Sequence, residues 1–167
     1  MNNQLVSNIV RFLFLIFIQV IIFNKILLFG FVNPYLYIIF ILLFPINTQQ
    51  WALLLSSFLL GIILDMFGNS GGAHTAACLV IAYFRPFILQ ACFGLNYIHQ
   101  NLKLNNTSFK QLVLYVSIMV IIHHLTLFSL EVFELKHIKY TLLQTLSSSL
   151  FSIVLIILGL SLFQRNK

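Results

Sequence analysis

The stretch GIILDMFGNSGGAHTAACLVIAYFRPF, residues 61–87, decides how the chain folds. Two apolar runs flank a turn, GNSGG, in which glycine supplies dihedrals that other residues avoid. Ser57, Gly61 and Asp65 recur every fourth residue and share one face of a helix through the first run. Gly72 with Ala76, and Ala73 with Ala77, form matching stripes on the second. Small residues so spaced let helix backbones approach closely, which predicts a tight antiparallel hairpin. Asp65, His74 and the Arg85-Pro86 pair sit in or beside this hairpin, although ionisable groups are expensive in hydrocarbon.

The surroundings are as apolar as the hairpin. The 167 residues are 60% hydrophobic and only 7% charged, with a mean hydropathy of +1.03. A soluble domain carries roughly 25% charged residues, so this chain has too few to cover a water-facing surface. The composition predicts a polytopic membrane protein. Its apolar runs are continuous rather than alternating, which favours helices over a β-barrel. The expected fold is an all-α membrane bundle of six transmembrane helices in one domain, 1–167. The spans fall near 9–29, 33–46, 51–67, 72–93, 109–130 and 140–163. The first starts like a signal peptide, but it lacks a small-residue cleavage site and is read as a retained helix. The second is short; Asn33 suits a helix cap and Pro34 a first turn, and a re-entrant hairpin is the alternative.

Six spans place both termini on one side. With the amino terminus inside, Arg11, Lys103, Lys110, Arg165 and Lys167 are cytoplasmic. Lys25, Lys136 and Lys139 then lie outside, beside Glu131 and Glu134. This bias favours cytoplasmic termini. Trp51, Tyr35, Tyr97 and Tyr140 fall near the expected interfaces. The net charge of +6 is scattered over short loops, which argues against nucleic-acid binding. Cys78 and Cys92 lie on one helix, about 21 Å apart by rise per residue, beyond disulfide reach.

The polar residues inside the runs each have a structural and a functional reading. Asp65 at the mouth of the hairpin can cap the turn, anchor a partner helix, line a polar cavity or relay protons. A direct or water-bridged bond to His74, just across the turn, would lower the cost of both. Arg85 can bond the carbonyl that Pro86 frees one turn earlier, snorkel toward the cytoplasmic face, or contact a partner helix or lipid phosphate. His123 and His124 point about 100° apart on the fifth helix and, with His74 and Asp65, can line a polar pocket. No metal-ligand spacing accompanies them, so no metal or other cofactor is expected. No catalytic motif is legible either, and Ser148 with Ser152 reads as a packing stripe.

The segment LLLSSFLLGIILDMFGNSGGAHTAACLVIAYFRPFIL resembles the signature region of the rod shape-determining protein MreD family. The matching positions are Gly61, Asp65, the Gly71-Gly72 pair and Arg85-Pro86. That resemblance implies a non-enzymatic, multi-pass component of the bacterial inner membrane that supports peptidoglycan synthesis and cell shape. It implies binding to an MreC-like membrane protein, and association with RodA, a class B penicillin-binding transpeptidase and MreB. The family is in turn similar to the six-helix substrate-binding subunits of energy-coupling-factor (ECF) vitamin transporters, which makes a solute-binding subunit the alternative. Membrane lipid is a further expected contact, and homodimerisation stays open.

Overall fold

The computed structural model describes residues 2–26, 28, 30, 32–94, 107–132 and 138–164. Helix α1 is Asn2–Ile21, followed by a 3-10 turn, Phe23–Lys25. Helix α2 is only Ile38–Leu42, and α3 is Gln50–Gly68. Helices α4 (Ala73–Phe93), α5 (Phe109–Val132) and α6 (Ile138–Gln164) complete the chain. Five segments are long and apolar enough to cross a membrane: Leu5–Lys25, α3, α4, α5 and Ile138–Ser161 of α6. Tyr97, Lys103, Glu134, Lys136, Arg165 and Lys167 lie outside the described residues.

Helices α3, α4, α5 and α6 pack in chain order, and α1 leans on α3 and α2. Their outward faces are apolar, as Phe17, Leu55, Phe87, Leu114 and Leu150 illustrate, which suits a lipid surround. The expected hairpin forms. Asn69 closes α3 in a left-handed conformation, φ 51°, and Gly72 opens α4 at φ 97°, where a side chain would be strained. Gly61 marks the closest approach of the two helices. A Cβ there would overlap Thr75 Cα and lie 2.8 Å from Thr75 N. Of the two stripes expected on α4, Ala73 and Ala77 are buried, whereas Gly72 is exposed.

The expected second span departs from the sequence reading. It crosses the bundle, but as a broken segment rather than a continuous helix. Residues 33–35 have no regular secondary structure, α2 makes little more than one turn, and the chain loosens again at Phe44-Pro45. One end bonds α6 at Ser148 and Ser152, near the hairpin; the other reaches Arg85 and Arg11. Tyr37, Ile38, Ile41 and Leu42 are wholly buried. Irregular backbone is tolerated at membrane depth only where protein encloses it, and here α4, α5, α6 and α1 do so. With this crossing, the start of α1 and the end of α6 lie at the same end of the bundle, opposite the hairpin.

Candidate functional site

A five-residue helix satisfies almost none of its own backbone groups, because the first four N–H and last four C=O groups of any helix lack internal partners. Segment 33–46 therefore needs donors and acceptors from its neighbours, and the polar residues of the apolar runs supply them. At the hairpin end, the Asn33 N–H donates to Ser148 Oγ at 3.3 Å and the Tyr35 N–H to Ser152 Oγ at 3.1 Å. Gln19 of α1 uses both ends of its amide: Nε2 donates to the Pro34 carbonyl at 3.1 Å, and Oε1 accepts the Leu36 N–H at 2.9 Å.

At the other end of α2, three successive carbonyls meet two guanidinium groups. Arg85 Nη2 donates to Leu42 O at 3.2 Å and to Phe44 O at 2.5 Å, and Arg11 Nη1 donates to Leu43 O at 3.2 Å. Arg85 Nε donates to Tyr115 Oη at 3.1 Å, and that hydroxyl donates on to Leu42 O. Arg85 is 4% exposed. Its expected roles, snorkelling and bonding the carbonyl freed by Pro86, are both corrected. The freed carbonyl is that of Ala82, and Gln50 Nε2 takes it at 2.9 Å. The guanidinium turns inward instead, because three convergent acceptors lie there and few unfilled ones lie on its own helix.

Asp65 caps α4 from the neighbouring helix. Its Oδ1 accepts the His74 N–H at 3.0 Å and its Oδ2 the Thr75 N–H at 2.9 Å. Ser70 Oγ and Thr75 Oγ1 each donate to it at 2.5 Å, and His74 Nδ1 lies 3.2 Å from Oδ1. A carboxylate over a helix N-terminus meets both unpaired amides and the positive end of the helix dipole. The expected Asp65–His74 bond is present, and the carboxylate has little capacity left for a partner protein. Asp65→Ala is expected to lower thermal stability by about 2 kcal/mol, the upper range for losing a cap. Asp65→Asn keeps one acceptor oxygen and should lose roughly half of that. Thermal unfolding of both variants, followed by the monodisperse fraction on size-exclusion chromatography, checks the order.

Between these two ends lies a box of rings. His124 Nδ1 donates to the Val120 carbonyl at 2.8 Å, so its Nε2 accepts from Ser152 Oγ at 3.2 Å. His123 Nε2 pairs with Tyr37 Oη at 2.9 Å. Tyr35 packs edge-on against His74 and His124, at centroid distances of 5.7 and 5.2 Å. Tyr35 is thus buried rather than interfacial, while Trp51 and Tyr140 are exposed as expected. His123 and His124 both face inward, each to a different neighbour, and both are wholly buried.

Two cavities flank this centre. A polar one of about 260 Å³ opens at the hairpin end, lined by Asn24, Asn33, Tyr35, Phe67, His74 and Glu131, among others. Of the histidines expected in a polar pocket, His74 reaches it, whereas His123 and His124 lie beneath Tyr35. An apolar groove of about 740 Å³ runs between α1 and α3 near the opposite end, with Ile9, Phe12, Phe40, Phe44, Ala52 and Ser56 in its walls.

Within the chain, Gly61, Asp65, Gly72, His74, Arg85, Pro86, His123 and His124 take part in hairpin packing, caps, the anchoring of the broken segment and a buried ring cluster. Gln19, Gln50, Arg11, Tyr37 and Tyr115 were not foreseen. Their signal was the shortness of run 33–46: a crossing too short for a full helix requires side-chain partners on its neighbours. No protein-family model matches the sequence, and neither a curated protein nor a solved structure is significantly similar to it.

Proposed function

We propose that the chain is a non-enzymatic membrane scaffold of a bacterial cell-elongation complex, as its resemblance to the MreD family implies. It would sit in the inner membrane with both termini cytoplasmic and bind the transmembrane helix of an MreC-like protein. Through that protein it would associate with RodA, a class B transpeptidase and MreB. The observation that carries this reading is the apolar groove between α1 and α3. A helix is a cylinder ~10 Å across, and a groove of this volume takes roughly two turns of one. Ala52 and Ser56, one turn apart on α3, leave the wall flat enough for close approach. The costly polar groups, by contrast, are used up inside the bundle, so they hold the scaffold's shape rather than reach for the partner.

Filling the groove tests this. Ala52→Phe combined with Ser56→Phe should cut co-purification with an MreC-like partner by ~10-fold or more, while the melting temperature stays close to that of the parent. Undiminished co-purification would remove the reading. The polar cavity at the hairpin end favours a second reading, a small-solute-binding subunit of a transporter, since broken helices beside polar cavities recur in transport proteins. A small molecule retained through native mass spectrometry, with no protein partner, would favour it.

A further inference from the structure

We infer that the cavity at the hairpin end is a binding site for a primary ammonium or guanidinium group. Its wall offers acceptors and ring faces together. His74 lines it and is 8% exposed. The His74 Nδ1–H is committed to Ser70 Oγ at 2.8 Å and Asp65 Oδ1 at 3.2 Å. With its proton on Nδ1, the neutral ring presents its Nε2 lone pair, and no bond from a described residue reaches that nitrogen.

Glu131 closes the rim from the last turn of α5. Its carboxylate makes no hydrogen bond or ion pair with any described residue. Asp65 is near enough for its charge to act on Glu131, but its own oxygens are already filled by five bonds. Among the described residues the lining thus carries one carboxylate without a partner and no cation. The side-chain oxygen of Asn33 adds an acceptor, that of Asn24 keeps one lone pair beside its bond from Gln19 Nε2 at 3.1 Å, and Phe67 and Tyr35 add ring faces.

A group with several N–H donors and a positive charge satisfies all of these features at once. It pairs with the carboxylate, donates to the imidazole and amide acceptors, and lies against aromatic faces by cation–π attraction. An anion meets the Glu131 carboxylate and is disfavoured. A transition metal finds only His74 and Glu131, and no group of three metal-ligating side chains converges among the described residues. The volume of about 260 Å³ holds a head group with a short organic stem. A free amine and an ethanolamine lipid headgroup share this chemistry.

The site is at the opposite end of the bundle from the α1–α3 groove, so it stands or falls independently of helix docking there. The test uses the full chain in phosphatidylcholine nanodiscs, titrated calorimetrically with ethylammonium or ethylguanidinium chloride. Saturable binding is expected, weakened ~10-fold or more in Glu131→Gln and for tetramethylammonium, which has the charge without the donors. Glu131 is exposed, so this variant should fold; if it does not, Phe67→Leu, also exposed, should weaken binding ~3-fold through the lost ring face. Repeating the titration in discs containing phosphatidylethanolamine separates the two sources. A drop in apparent affinity marks the lipid headgroup as the occupant, and an unchanged affinity marks a free amine. Absence of saturable binding by both probes overturns the assignment. So do unaltered binding in the folded variant and preferential binding of Zn²⁺ or acetate at the same residues.

Discussion

Replacing Arg85 by leucine is expected to destabilise the bundle by about 3–5 kcal/mol, the range for removing one partner of a buried charged hydrogen-bond set. The guanidinium holds the Leu42 and Phe44 carbonyls and Tyr115 Oη simultaneously. Without it, the last carbonyls of α2 face an apolar interior with only Tyr115 and Arg11 nearby. Arg85→Lys should recover less than half of the loss, since an ammonium lacks the planar fork that spans three acceptors. Tyr115→Phe removes a single neutral donor and should cost about 1 kcal/mol. The order, Arg85→Leu worst and Tyr115→Phe mildest, is read from thermal unfolding in one detergent. Equal melting of Arg85→Leu and the parent would mean that the broken segment is held by something else.

Gly61→Val is expected to have an effect of similar size, about 3 kcal/mol or more, as overpacking against a wall that cannot move aside. The obstructing atoms are the backbone of Thr75 and His74, not a flexible side chain. Pushing α3 and α4 apart also pulls Asp65 off the Thr75 N–H, so packing and cap fail together. Faster amide exchange at His74 and Thr75 should accompany the loss of stability. Gly159 supplies the control: a Cβ there meets only Ile39 Cδ1, at 3.8 Å. Gly159→Ala should leave the melting temperature nearly unchanged, and a loss matching that of Gly61→Val would show that helix glycines matter here for flexibility rather than contact.

Composition and spacing alone determined that this is a multi-pass helical membrane protein, and they located the α3–α4 hairpin with its Gly61 contact and Asp65–His74 bond. Those features are local or one-dimensional: apolar run length, a four-residue period, and two residues flanking one turn. What Arg85, Gln19, Gln50, Ser148 and Ser152 do was decided by the tertiary structure. Their backbone partners lie 15 to 117 residues away, and nothing in a helical period points to a carbonyl on another segment. The broken second crossing is the reason. It runs through the centre with too few bonds of its own, and only the packed neighbours determine which polar side chain reaches each exposed amide or carbonyl.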